Sequence, residues 1–152
     1  MSELGGSFGE DMRFLRSRNT ENATDAKTMN LHTKTYANVV VLAPVGHIDH
    51  TAADTFEHAL MQHIEHCIGN SGMIVLDLSA VEFMSSAGLR VLILAAKQSK
   101  KQEGTIVVSG LQPTMQEIFE ISRFNIILKT FADVREALAE ISSDALAAFD
   151  RD

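Results

Sequence analysis

The chain lacks most of the features that mark redox, secreted and membrane-spanning proteins. Its single cysteine, Cys67, excludes an internal disulfide, a cysteine-rich metal cluster and a Cys-x-x-Cys redox pair. Nowhere does the sequence contain the roughly 18 uninterrupted apolar residues that a membrane span requires. Residues 1–20 also contain no apolar stretch of signal-peptide length. These absences predict a cytoplasmic protein in a reducing compartment, with no membrane partner.

Basic residues are scarce. Thirteen Lys and Arg stand against twenty Asp and Glu, which gives a formal net charge of −7 at pH 7. No basic run interleaved with aromatic residues is present, so direct binding of nucleic acid is not expected. Neither G-x-G-x-x-G nor G-x-x-x-x-G-K-[ST] occurs, which removes the two strongest nucleotide-binding motifs.

The composition is that of a globular protein large enough for one domain, with 152 residues of which 45% are hydrophobic. Residues 1–29 contain several glycines and no sustained hydrophobic period, and they are predicted to form a flexible N-terminal tail. A short helix in that tail that docks on a partner is the less favoured alternative. Residues 30–143 are predicted to form the folded domain, and residues 144–152 to form a C-terminal extension that continues the last helix.

Apolar runs alternate with helical patterns along the domain. The predicted strands are Leu31–Tyr36, Val39–Val45, Met73–Leu78, Thr105–Gly110 and Asn125–Phe131. Four helices are predicted: one from just after Asp49 to Cys67 or Ile68, then Ser86–Lys101, one starting at Pro113, and one from Asp133 to Ile141. This alternation predicts an α/β fold with a mostly parallel central sheet and about four helices.

Two details of the helices are also predicted. Thr51 and Asp54 have the spacing of a capping box at the start of the first helix. In the helix that starts at Ser86, we expect the inward face to carry Leu89, Leu92 or Ile93, and Ala96.

Five of the six histidines lie at or along the first helix: His47, His50, His58, His63 and His66. A zinc or nickel site is geometrically possible, because His63 and His66 are one helical turn apart. A solvated polar helix face explains the same residues without a metal, and that interpretation is preferred. No nucleophile with an adjacent base emerges, and Cys67 is expected to act as a small buried hydrophobe on the first helix.

The junction between the strand Met73–Leu78 and the next helix is the strongest candidate for a functional site. Ser85 and Ser86 stand where a loop at the carboxyl end of a parallel strand meets a helix start, a common ligand position in open α/β sheets. Either serine could simply be the N-cap of the helix. The same position also favours an added phosphate, because free helix amides and the helix dipole stabilise negative charge. Both interpretations remain open from these residues alone.

Three segments carry a resemblance to a known family: Gly46-x-x-Asp49, the stretch from Asp77 to Leu89 with its Phe-Met-Ser-Ser-Ala-Gly-Leu ending, and the approach to Pro113 from Gly110. From about Leu31 to Ile141 the chain resembles the STAS domain family, specifically the bacterial anti-sigma factor antagonists. The resemblance implies a STAS-like α/β fold without catalytic activity or a cofactor of its own. It also implies a protein partner, an anti-sigma factor that is a serine kinase, and a PP2C-type phosphatase.

Carried over to this sequence, the resemblance makes Ser86 the phosphorylated serine. The unphosphorylated form would capture the anti-sigma factor, and phosphorylation would release it. Asp49, Ser85, Ala87, Gly88 and Arg90 are the implied partner-binding residues. Family members often have Asp before the acceptor where this chain has Ser85, and many have Gly where it has Arg90. An alternative is a STAS scaffold, or a nucleotide- or small-ligand-sensing module, within a signalling complex.

Overall fold

The computed structural model describes residues 30–152, and the predictions for residues 1–29 lie outside that range. Within it, six strands and six helices alternate. The strands are β1 (Asn30–Tyr36), β2 (Val39–Ile48), β3 (Met73–Asp77), β4 (Val81–Met84), β5 (Ile106–Ser109) and β6 (Thr130–Phe131). The helices are α1 (His50–Ile64), α2 (Ser86–Lys101), α3 (Pro113–Ile121), α4 (Phe124–Ile127), α5 (Val134–Ile141) and α6 (Ser143–Arg151).

The strands form one sheet in the order β1-β2-β3-β5-β6, and β4 pairs with the carboxyl end of β2. Only β1 runs antiparallel, with Tyr36 opposite Val39 and Asn30 opposite Val45. All other pairs are parallel. The predicted α/β fold with a mostly parallel sheet is therefore confirmed, although residues 30–152 contain six helices rather than about four.

Helices cover both faces of the sheet and create two apolar cores. On one face α1, α2 and α3 bury large side chains such as Phe56, Leu92 and Phe119 against the strands. On the other face α5 and α6 pack Leu138 and Ala145 against the alternate strand residues. Strands β3 and β5 are buried on both faces, which explains why they are near-continuous apolar runs in the sequence, whereas the edge strand β1 is mostly exposed.

The predicted strand Asn125–Phe131 is wrong over most of its length. Residues Phe124–Ile127 form the short helix α4, and only Thr130–Phe131 pairs with β5. Arg123 has a positive φ of 62°, which reverses the chain after α3 and lets Phe124 pack edge-to-face on Phe119, with ring centroids 5.5 Å apart. The apolar run is dense enough for a strand, but packing on α3 decides its conformation.

The prediction that residues 144–152 continue the last helix is also wrong. Ser142 adopts an extended conformation that ends α5, and its Oγ caps α6 by accepting a hydrogen bond from the Ala145 amide at 3.1 Å. The same hydroxyl donates to Asn38 Oδ1 at 2.8 Å, which ties the start of α6 to the turn between β1 and β2. The division of the chain at residues 29 and 143 remains a prediction.

Cys67 is fully buried but does not lie on a helix, because α1 ends at Ile64. Its thiol donates to the Thr105 carbonyl at 3.3 Å. The side-chain Nε2 of Gln102 donates to the carbonyls of Ile64 and Cys67, at 2.8 and 2.9 Å. These hydrogen bonds join the end of α1 to the end of α2, so they fix the relative position of two of the three helices on this face of the sheet.

Substitution of Gly104 by Ala should disrupt these contacts between the end of α1 and the end of α2. A Cβ at Gly104 would lie 2.2 Å from the backbone carbonyl oxygen of Cys67 and 2.7 Å from its buried Sγ, and neither atom is the end of a flexible side chain. We expect the variant to lose about 1–3 kcal/mol of unfolding free energy in urea titrations, the range of overpacked cores. The neighbouring exposed Glu103 serves as control, because Glu103→Ala should change stability by less than about 0.5 kcal/mol. Equal stability of Gly104→Ala and Glu103→Ala would contradict the close approach.

Candidate functional site

The segment between β3 and α2 is not a single loop, because it contains the strand β4. This strand runs parallel to the carboxyl end of β2, with His47 opposite Phe83 and Ile48 opposite Met84. Residues that follow two paired parallel strands leave the sheet at the same edge. Asp49, which follows β2, and Ser85, which follows β4, are therefore brought together at this edge.

Ser85 is the N-cap of α2. Its backbone is extended, and its Oγ accepts a hydrogen bond from the Gly88 amide at 3.3 Å. Its own amide donates to the Ile48 carbonyl at 2.8 Å, which fixes the helix start to the end of β2. Ser86 is the first residue of the helix and is exposed. The structure thus separates the two serines: the capping hydrogen bond belongs to Ser85, while the Ser86 side chain faces water.

Gly88 allows the first turn of α2 to lie directly on the sheet. It is buried, and a Cβ there would lie 2.5 Å from Met84 Cγ and 3.1 Å from Ile48 Cγ2. Both neighbours are core residues, so they have little freedom to move away. Ala87 is half-buried beside it. The small residues at these two positions therefore set how close the helix start and Ser86 come to the sheet edge.

Asp49 is the N-cap of α1, so the predicted capping box of Thr51 and Asp54 is wrong. The Asp49 carboxylate accepts a hydrogen bond from the Ala52 amide at 3.0 Å, and the helix begins at His50. Thr51 and Asp54 lie inside the helix and are exposed. Asp49 is itself exposed, so a negative charge and the Ser86 hydroxyl occupy the same edge of the sheet.

Arg90 is exposed one helical turn after Ser86 and lies on the same side of α2. Leu92 and Ala96 are buried on the inward face of the helix as expected, whereas Leu89 is not. The buried face is formed by small and aliphatic residues: Gly88, Val91, Leu92, Ala95, Ala96 and Ser99. Leu89 and Ile93 are only half-buried and border the exposed side that carries Ser86 and Arg90. Apolar residues therefore surround the candidate site on the helix surface.

One exposed aromatic residue beside the site was not predicted from the sequence. Phe83 is 48% exposed and meets the His47 ring edge-to-face, with centroids 6.1 Å apart. His47 Nε2 also lies 3.0 Å from Glu82 Oε1. A half-exposed aromatic side chain is a frequent protein-contact residue. It was missed because β4 has only four residues, with two exposed positions side by side and no alternation.

The histidines do not assemble a metal site within residues 30–152, where no three metal-ligating side chains cluster. Burial and the neighbouring His66 lower the pKa of His63, which favours its neutral form. No helix in the same residues combines the length and hydropathy needed to cross a membrane.

A family model for the STAS domain matches residues 30–137, which is most of the chain. The protein belongs to the STAS domain family. A relative from Bordetella bronchiseptica, assigned as the anti-sigma factor antagonist BtrV, is 45% identical over 73 residues. That alignment covers 48% of this chain and 62% of the Bordetella protein, so the chain spans less than two thirds of that relative.

Solved structures confirm the STAS fold. An anti-sigma factor antagonist from Mycobacterium paratuberculosis superposes with a TM-score of 0.67 at 22% identity, covering 77% of this chain and 97% of the other. The phosphorylated form of SpoIIAA, a Bacillus cell fate determinant, gives a TM-score of 0.56 at 21% identity, with coverage of 74% and 98%. At these identities the likeness concerns the fold.

The separation of the two serines in this STAS domain has a measurable consequence for stability. Ser85→Ala removes the cap of α2 and should cost about 1 kcal/mol of unfolding free energy. Ser86→Ala removes an exposed hydroxyl and should change it by less than about 0.5 kcal/mol. Thermal and urea unfolding of the two variants measure the difference directly. The reverse order, with Ser86→Ala the more damaging variant, would show that Ser86 is the cap.

Proposed function

We propose that this STAS domain protein is an anti-sigma factor antagonist switched by phosphorylation of Ser86. In the unphosphorylated form it binds an anti-sigma factor that is also a serine kinase, and the kinase then transfers phosphate to Ser86 and dissociates. A PP2C-type phosphatase restores the binding form. The observation that carries this proposal is the exposed Ser86 hydroxyl at the first position of α2, next to a cap that Ser85 already provides. The name of the Bordetella relative supports the same role.

Geometry favours Ser86 over Ser85 as the acceptor. A kinase must reach the hydroxyl oxygen with the γ-phosphate of ATP, and the exposed Ser86 side chain permits that approach. Ser85 is half-buried, and its Oγ is engaged with the Gly88 amide. Phosphorylation of Ser85 would remove the cap of α2, whereas phosphorylation of Ser86 leaves it in place.

The phosphate changes the surface that a partner would cover. It shifts the formal charge of the chain from −7 to about −9. The added charge of about −2 is concentrated at the start of α2. Burial of the unmodified hydroxyl by a partner costs little binding free energy, but burial of a dianion without counter-charges costs several kcal/mol. The exposed Asp49 at the same edge adds to the negative charge. Dissociation of the partner follows.

The remaining predicted site residues divide into two roles in this proposal. Asp49, Ala87 and Arg90 are accessible and would contact the partner directly. Ser85 and Gly88 would act by positioning, because they fix the start of α2 on Ile48 and Met84. We add Phe83 as a partner contact because of its exposure beside them. In this role the protein works in the cytoplasm as a regulator, without catalysis or a cofactor of its own.

Incubation of the protein with ATP and purified candidate anti-sigma factor kinases tests the proposal. We expect one phosphate adduct in intact mass spectra, mapping to Ser86, and none with Ser86→Ala. Ser85→Ala is the matched control and should still be phosphorylated, because its Ser86 hydroxyl is unchanged. Phosphate on Ser85, or on the Ser86→Ala variant, would contradict the assignment.

Binding measurements test the switch itself. Ser86→Asp should weaken binding to the anti-sigma factor at least tenfold, which is about 1.4 kcal/mol, because it adds charge at the contact. Ser86→Ala should bind like the unmodified protein and should not be released by ATP. Isothermal titration calorimetry gives both affinities. Equal affinity of the Ala and Asp variants would contradict a charge-based switch.

A further inference from the structure

A long groove lies between the exposed side of α2 and the short helix α4. It consists of two adjoining cavities of about 500 and about 800 Å³ that share Lys97. Its apolar lining includes Leu89, Ile93 and Leu94 of α2 together with Phe124, Ile126 and Ile127 of α4. The groove follows α2 from Ser86 to Lys100, and most of it lies beyond the first turn that carries the phosphorylation site.

The groove exposes more apolar surface than the fold requires. Ile126 is 75% exposed, Ile127 is 50% exposed and Leu94 is 40% exposed, although all three are large aliphatic residues. Clustered apolar exposure of this kind marks protein-interaction sites, whereas single exposed residues do not. The groove therefore has the apolar surface that a docked partner would cover.

The charges that line the groove are all of one sign. Arg90, Lys97, Lys100 and Lys129 line it, and no acidic residue does. Lys129 Nζ lies 3.5 Å from Glu140 Oε2, so this lysine is paired with a carboxylate. The side chains of Arg90, Lys97 and Lys100 are exposed. A purely cationic lining is unexpected in a chain with twenty acidic and thirteen basic residues. Charge complementarity thus selects an acidic occupant.

The groove is long enough to hold a helix. From Ser86 to Lys100, α2 advances about 21 Å, or four turns, so a helix of about 14 residues could lie along it. An amphipathic helix would place an aliphatic stripe on the apolar lining and acidic residues beside the lysines. A nucleic-acid duplex would meet only four cations, and a flat membrane would not enter a concave groove.

We propose that the α2–α4 groove binds an acidic amphipathic helix of a partner protein. Most of this contact lies beyond the first turn of α2. Ser86 and Arg90 line its near end, so the negative charge of a phosphate on Ser86, as proposed above, should weaken binding of an acidic helix there. The partner helix presents aliphatic residues at spacings of three and four, flanked by Asp and Glu. A partner bound in this way would remain in contact with α2 over several turns.

Fluorescence anisotropy with the full-length, unphosphorylated protein tests the proposal. The probe is a labelled, end-capped peptide of about 18 residues with Leu on one helical face and Glu on the other. We expect saturable binding, and at least tenfold weaker binding of the same peptide with Lys in place of Glu. The double variant Lys97→Glu/Lys100→Glu should lose at least tenfold in affinity, and Ile126→Ser about fivefold.

Two control variants match these changes in chemistry and exposure. Lys101→Glu reverses an exposed charge on the same helix outside the groove. Ile121→Ser alters an isoleucine that is 76% exposed, against 75% for Ile126, but does not line the groove. Both should bind the peptide within about twofold of the unmodified protein. Equal losses in the groove and control variants would overturn the proposal, as would equal binding of the Glu and Lys peptides.

Three other occupants are distinguished in the same experiment. Phe14 and Leu15 are an adjacent pair of large apolar residues within residues 1–29. Tighter peptide binding by Phe14→Asp/Leu15→Asp would identify residues 1–29 as a competing occupant and overturn the proposal. A dimer in sedimentation that Ile126→Ser abolishes would identify a second copy of the chain and also overturn it. Groove-dependent binding of phosphatidylserine vesicles, without peptide binding, would assign the groove to membranes. If the peptide does not bind but the kinase assay still phosphorylates Ser86, only the docking proposal is refuted and the proposed function stands.

Discussion

The pairing of β4 with the end of β2 is the constraint on which the candidate site depends. It places the Ser85 amide 2.8 Å from the Ile48 carbonyl, and that bond starts α2 at the edge of the sheet where α1 also starts. Gly88 then allows the first turn to rest on Ile48 and Met84 without a Cβ between them. The Ser86 hydroxyl is exposed because the backbone on either side of it is held in this way.

Two serines in sequence would allow the fold and the proposed switch to be controlled separately. The N-cap supplies a local stabilisation that a modified side chain could not maintain, and Ser85 provides it from a half-buried position. Ser86 is then free to change its charge without loss of a structural hydrogen bond. The same helix continues into a cationic, apolar surface beside α4, so α2 carries both the proposed switch and the proposed docking groove.

The sequence predicts the fold wherever one interaction dominates. Buried parallel strands such as Met73–Asp77 are continuous aliphatic runs, and α2 was expected at its observed bounds. Prediction from the sequence fails where tertiary packing decides the local conformation. Residues Phe124–Ile127 are as apolar as a strand but form a helix, in which Phe124 packs on Phe119. On α2, periodicity cannot choose between Leu89 and Gly88 for the inward face, because only the close approach to Ile48 excludes a side chain there. The family resemblance in the sequence predicts Ser86 as the phosphorylated serine, which stays a prediction, while the exposure of Phe83 was not predicted.

The central claim is that phosphate on Ser86 changes the surface and leaves the fold intact. Hydrogen exchange of the Gly88 and Leu89 amides, which Ser85 holds through its side chain and its carbonyl, tests it most directly when phosphoserine is incorporated at position 86. Both amides should keep their protection from hydrogen exchange. The free energy of unfolding should be unchanged or raised by up to about 1 kcal/mol, because the helix dipole stabilises the phosphate. Loss of protection at both amides would show that phosphorylation unfolds the start of α2 and would contradict the account.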